Sequence, residues 1–260
     1  MDLGLAGKVA LVTGSSRGIG RGIALALAAE GCNLMLTGRD EAALKDVAAA
    51  ATKLGRTAKF ETLDLRKPDA AAALVQALRS AYGRLDILVN NAGATKRGNF
   101  LALTDEDWQD GFALKFFGHT RLARAAWPML KESSGSLVTI GGTGAKMPGA
   151  DFTIGSSVNA ACIAFTKALA DLGKTDGVQA NTINPGHTDT ERFRRRIKAH
   201  MDSTGHDEPT ALEEHRRQLG ITRFGLPADI AGLVAFMVSP RGRWLHGATI
   251  DMDGGEVVGL

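Results

Sequence analysis

Cysteine is almost absent from this 260-residue chain, which has only Cys32 and Cys162. Two thiols cannot build a disulfide framework, so a disulfide-rich secreted scaffold is excluded and a reducing, cytoplasmic setting is expected. Aromatic side chains are scarce too, at 5% with a single tyrosine, Tyr82, while glycine is plentiful at 32 residues. That balance argues against a β-sandwich and for helices lying close on a sheet, joined by tight loops. No apolar run approaches the ~18 residues of a membrane-spanning helix. The opening MDLGLAGKVALVTG has no basic region and runs straight into a glycine loop, so no signal peptide is expected. Charge of one sign is not in excess: 31 Lys and Arg against 28 Asp and Glu leave +3, too little to imply nucleic acid. No Cys/His cluster has metal-ligand spacing, so no metal is expected.

What is present is an alternation of short apolar runs and helical patterns. Lys8–Thr13, Asn33–Thr37, Ala58–Leu63, Asp86–Val89, Ser136–Ile140, Val178–Ile183 and Ala248–Met252 read as strands. Gly20–Glu30, Glu41–Leu54, Ala70–Tyr82, Trp108–Lys131, Ser156–Leu172 and Ala228–Val238 carry helices. Six βα repeats closed by a strand predict an α/β fold, a single-domain Rossmann-type doubly wound parallel sheet over residues 1–260, because each parallel crossover needs a helix. The charged stretch Thr188–Gly220 contains no strand. It follows a strand's carboxyl end, where open α/β sheets bind ligands, and is expected to be an inserted substrate lid.

Between the first strand and first helix lies Thr13-Gly14-Ser15-Ser16-Arg17-Gly18-Ile19-Gly20. Its glycines let a backbone approach a pyrophosphate, and the helix start offers free N–H groups and a positive dipole end. Further along come Asp64 in LDL, Asn90-Asn91-Ala92-Gly93 after DILV, Pro185-Gly186 with Thr190 after it, RFGLPADIA at Arg223–Ala231, and Asp253-Gly254-Gly255. In this order the motifs resemble those of the short-chain dehydrogenase/reductase family, over nearly the whole chain. The resemblance implies a nicotinamide dinucleotide held by Gly14, Ser16, Arg17, Gly18, Ile19, Gly20, Arg39, Asp64, Leu65, Asn91, Ala92, Gly93, Pro185, Gly186, Thr188 and Thr190. It also implies a small carbonyl or alcohol substrate, and a homotetramer or homodimer in which small residues such as Ala160, Ala161, Ala164 and Ala168 meet a symmetry mate.

The end of the second strand bears on cofactor choice. An acid there would bond the ribose 2′-hydroxyl and repel a 2′-phosphate. Gly38 and Arg39 stand there instead, and Arg17 could reach the same place. Two guanidiniums favour a phosphate, hence NADP. NAD is the alternative if both arginines are solvated or if Asp40 pairs with one of them.

The family's chemistry uses an Asn, a Ser, a Tyr and a Lys. By the resemblance these positions fall on Lys115, Gly142, Ile154 and Val158, so all four have changed. A longer Tyr–Lys spacing would pair Phe152 with Asn159 and restores neither group. Lys115 either reaches the nicotinamide cavity, where like charge and desolvation lower its pKa, or points outward or pairs with an acid between helices. Thr143 and Asp151 are the other candidate catalytic groups, with a surface loop as the alternative for Asp151. Ser156, Ser157, His187 and Lys146 are lesser candidates. The lid carries Arg192, Arg194, Arg195, Arg196, Lys198 and His200, which form either a solvated helix face or an attractor of a carboxylate, phosphate or CoA-like substrate. The leading function is an NAD(P)-dependent oxidoreductase that interconverts a carbonyl and an alcohol by hydride transfer with a non-standard proton-transfer group. The alternative is a catalytically inactive NADP(H)-binding protein, a sensor or an oligomer partner. A lyase or isomerase using Lys115 or Asp151 as base is a third.

Overall fold

Seven strands form one sheet: β1 (Val9–Thr13), β2 (Asn33–Gly38), β3 (Ala58–Thr62), β4 (Ile87–Asn90), β5 (Ser136–Ile140), β6 (Gln179–Pro185) and β7 (Thr249–Met252). Their order is β3-β2-β1-β4-β5-β6-β7, with every neighbouring pair parallel, in a computed structural model that describes residues 2–259. The chain winds outward from β1 to β3, then returns to the other side of β1. That reversal opens a crevice beyond the carboxyl ends of β1 and β4.

Nine helices complete the described chain: α1 (Gly18–Ala29), α2 (Glu41–Lys53), α3 (Ala70–Tyr82), α4 (Asp105–Phe112), α5 (Gly118–Glu132), α6 (Thr153–Asp176), α7 (Glu191–Thr204), α8 (Glu208–Leu219) and α9 (Pro227–Val238). Strand residues alternate between the two sheet faces. Ala10 and Val12 of β1 join a core with Ile23 and Leu27 of α1, Val47 of α2 and Val234 of α9. Leu11 joins the opposite core, with Leu74 and Leu78 of α3 and Leu122 and Leu130 of α5. Each of these large side chains contributes ~1.5–3 kcal/mol by leaving water. Asp40, a possible partner for the nearby arginines on sequence grounds, is instead the cap of α2: its Oδ1 accepts from Ala43 N at 3.1 Å.

The alternation expected from the sequence is the observed architecture, with two refinements. The helical stretch from Trp108 to Lys131 is interrupted by a π-helical turn, Ala113–Phe117, between α4 and α5. The strandless stretch from Thr188 folds as α7 and α8, and Thr188 bridges to Gly225. On α6, Ile154, Val158 and Cys162 are buried against Trp108, Phe112 and Phe116. No helix of the described residues is long and apolar enough to cross a membrane.

Candidate active site

A cavity of about 830 Å³ lies at the carboxyl end of the sheet. Gly14, Ser16, Arg17, Gly18, Ile19 and Gly20 of the β1–α1 turn line it, as do Arg39 after β2, and Asp64 and Leu65 after β3. Asn91, Ala92 and Gly93 after β4 and Pro185, Gly186, Thr188 and Thr190 around the end of β6 complete that wall. The structure thus brings together every residue expected to hold a dinucleotide. The turn is drawn tight: a Cβ on Gly20 would stand 2.2 Å from the Gly14 carbonyl oxygen. Helix α1 begins at an extended Arg17 that makes no side-chain cap, so the first-turn N–H groups remain available to an anion.

The turn and the β4 loop hold one another. Thr13 Oγ1 accepts from the backbone N–H groups of Asn91 and Ala92, each at 2.9 Å, and Asn91 Nδ2 donates to the Thr13 carbonyl at 2.8 Å. His119 Nε2 donates to the Ala92 carbonyl at 2.8 Å. Burial first, then the Lys115 charge, pulls the His119 pKa down to about 3, so the ring is neutral. Burial works against ionisation of Asp64, but the Arg66 N–H at 3.1 Å and its guanidinium at 3.3 Å hold that carboxyl below its ordinary value. At the other cationic end, Arg17 lies 3.6 Å from Glu191, with both side chains more than half exposed. Such a pair is worth little, so Arg17 is available to a ligand.

Lys115 projects from the π turn. Its stem crosses Gly93 so closely that a Cβ there would sit 2.9 Å from Lys115 Cδ. Its ammonium donates to the Gly141 carbonyl at 2.8 Å and to Asn159 Oδ1 at 2.5 Å. Burial is the main cause that brings its pKa down to about 8; the Arg192 charge adds to this. Lys115 therefore faces the cavity, and the outward alternative does not hold.

Ile154 and Val158 do not face it. Both are fully buried in the apolar cluster against α4, because their side chains form the stripe that fixes the rotation of α6. The neighbouring positions, Gly155 and Asn159, turn toward the cavity side instead. A Cβ on Gly155 would stand 2.1 Å from the Phe152 ring, and one on Gly142 would stand 2.9 Å from Asn159 Nδ2. Phe152 and Asn159, which both line the cavity, fill the space beside these two glycines. The Arg97 guanidinium lies 3.8 Å above the Phe152 ring.

Thr143 lines the cavity, with its hydroxyl 3.5 Å from Glu256 Oε1. Asp151 does not: it is exposed and paired with Arg97 at 3.0 Å, so its charge is spent at the surface. Ser156 is buried and Ser157 exposed, and neither lines the cavity. Lys146 pairs with Asp251 at 2.6 Å. Tyr82 is far from the site and donates to the Leu34 carbonyl at 2.8 Å. Arg194 is a solvated residue, paired with Asp189 and Glu208, whereas Arg192, Arg195 and Arg196 line the cavity with His187.

Glu256, His215, Arg97 and Asn159 also line it and were missed as site candidates. No motif marks the first three; the Val158 and Ile154 alternation with the Trp108–Phe112 stripe was the available signal for Asn159. Three ligand atoms that no sequence spacing announces, on His200, His206 and Glu214, lie within 4.8 Å of one another. They are bound among themselves by hydrogen bonds of 3.5 and 2.9 Å to Glu214.

The family model described as Enoyl-(Acyl carrier protein) reductase matches residues 14–256. The chain belongs to the short-chain dehydrogenase/reductase family. This short-chain dehydrogenase/reductase is 32% identical over 259 residues to the 3-oxoacyl-(acyl-carrier-protein) reductase of Vibrio cholerae serotype O1, covering 97% of this chain and 98% of that one. Its fold matches L-sorbose reductase from Gluconobacter frateurii, solved with NADPH and L-sorbose, with a TM-score of 0.97 and 32% identity over 100% of both chains. A short-chain dehydrogenase from Burkholderia cenocepacia J2315, solved with NADP, matches with a TM-score of 0.87 and 35% identity, over 97% of this chain and 98% of that one.

Proposed function

We propose that this chain is an NADP(H)-dependent oxidoreductase that interconverts a carbonyl and an alcohol, with Lys115 managing the proton at the substrate oxygen. The donor set fits the dinucleotide: an uncapped α1 amino end for the pyrophosphate, Arg17 and Arg39 for a 2′-phosphate, and Asp64 for the adenine side. The complexes of the Gluconobacter and Burkholderia relatives support NADP, and a Brucella melitensis relative solved with NADH keeps NAD as the alternative. When bound, the nicotinamide supplies or accepts the hydride.

The observation that carries this reading is the Lys115 ammonium in the cavity. Two of its three N–H groups are committed to Gly141 and Asn159, leaving one for a substrate oxygen. With a pKa of about 8 it can give up a proton near neutral pH and regain it from solvent, which suits general-acid work. Because α6 presents Gly155 and Asn159, the family's Asn and Lys are exchanged here: Lys at 115, Asn at 159. The Ser place holds Gly142, with Thr143 beside it to orient substrate, and the Tyr place holds Gly155 covered by the Phe152 ring. An amine replaces the phenol as proton donor. Helices α7 and α8 act as the substrate lid, and the small exposed residues Ala160, Ala164 and Ala168 of α6 meet a second copy.

The test is a screen of carbonyl compounds at the NADPH absorbance, beside a titration of NADPH binding, on the unaltered protein and Lys115→Met. Turnover that falls at least about 100-fold in the variant, with NADPH still bound, is the expected result. Binding without turnover of any compound by the unaltered protein would favour the non-catalytic alternative.

A further inference from the structure

Helix α7 turns one face inward: Phe193 and Ile197 are buried, and they carry Arg192 and Arg196 toward the cavity. Arg196 is held by two rings. Its Nη1 lies 3.0 Å from His187 Nε2, and its Nη2 lies 3.3 Å from His215 Nε2. A guanidinium only donates, so both Nε2 atoms accept, and both imidazoles are neutral. The His187 proton is then on Nδ1, donated to Glu256 Oε1 at 2.9 Å, while His187 N donates to Glu256 Oε2 at 3.0 Å. Burial first, with the Arg196 charge adding to it, brings the His215 pKa down to about 4, so this ring is neutral.

Two neutral acceptors fix the guanidinium without giving it a direct partner of opposite charge. Among the described residues no carboxylate lies within ion-pair distance of Arg196: the Glu256 carboxylate, which attracts it from further off, is committed to His187 and lies near Thr143. Arg97, on Phe152, adds a like charge, partly offset by Asp151. A half-buried cation needs a partner of opposite sign, and the fork of a guanidinium matches a carboxylate edge.

We propose that Arg196, positioned by His187 and His215, binds a carboxylate of the substrate, so that this protein acts on oxo acids or hydroxy acids rather than neutral carbonyl compounds. The proposal rests on the reading of this cavity as a site of carbonyl reduction. Both reacting ends then lie along one cavity: Lys115 serves the oxygen that is reduced, and Arg196 serves the carboxylate that is not.

The experiment compares short-chain oxo acids with their methyl esters, using the NADPH-bound protein and two variants, Arg196→Gln and Arg196→Lys. The expected result is kcat/KM for acids on the order of 100-fold above that for esters. Arg196→Gln should raise KM for the acids by a similar factor, with little change for the esters or for NADPH affinity, and Arg196→Lys should recover part of the loss. Calorimetric titration of succinate into the same complexes reads the subsite without turnover, and separates it from the oxidoreductase reading. Succinate binding lost in Arg196→Gln supports the subsite even if no compound is reduced. Equal use of acids and esters, or succinate binding that is absent or indifferent to Arg196→Gln, overturns it and leaves Arg196 a tie between α7 and α8.

Discussion

The ammonium of Lys115 and the amide oxygen of Asn159 lie 2.5 Å apart, joining the π turn to α6. The amide is neutral, so it holds the ammonium without supplying an opposite charge, and burial lowers the pKa to about 8. For a proton donor, reduction should be fast below that pH and fall as the pH rises through it. Asn159→Asp places a carboxylate on the same ammonium and raises its pKa. The falling limb of the pH–rate profile should then move up by at least about one unit, and a limb that stays in place would separate Lys115 from the proton step.

The same group leaves a mark on stability. Its value in the folded chain, about 8, lies below the ~10.4 of an unfolded lysine. Between those values the unfolded chain binds more protons, so this group's contribution to stability rises with pH across that window. Urea unfolding at several pH values should show that rise in the unaltered protein and a flatter dependence in Lys115→Met.

Arg39→Asp should weaken NADPH binding by ~1–3 kcal/mol through loss of a charge-assisted bond, while NADH binding holds or improves. Asp40 is engaged as the cap of α2, so it does not compete for Arg39. Equal affinity of the unaltered protein for both cofactors in a fluorescence titration would remove the case for NADP.

A tyrosine placed at 155 has no room while Phe152 is present, since even its Cβ would overlap the ring at 2.1 Å. Gly155→Tyr should lower stability by ~1–3 kcal/mol or more through overpacking, and Phe152→Ala in the same chain should restore much of it. Thermal melting of the single and double variants tests this, and additive losses would place the strain elsewhere.

Light scattering at micromolar concentration should give a mass of two or four chains. A monomer would leave the small exposed residues of α6 without a partner.

The glycine-rich end of the cavity was legible because its residues lie at or beside short turns that follow strands, where glycine, Asn-Ala-Gly and Pro-Gly carry strong local signals. The opposite end was not. Lys115 was visible as an odd cation, but its inward direction depends on the π turn, which has no signature in ALKFF. The direction in which Ile154 and Val158 point was not legible, because a helix has no local marker of rotation; their packing on Trp108 and Phe112 decides it. Glu256 meets His187 across 69 positions, a contact made by the fold rather than by spacing. Arg196 lay within a charge run whose Arg194 is in fact solvated, and only the burial of Phe193 and Ile197 tells the two apart.

The filled places beside Gly142 and Gly155 also give direction to sequence change. Asn159 must give way before residue 142 can acquire a side chain, and Phe152 must shrink before residue 155 can. A lineage acquiring a phenol at residue 155 by single steps would pass through a destabilised chain, unless the space-making change came first. The wall of the cavity therefore imposes an order on mutation.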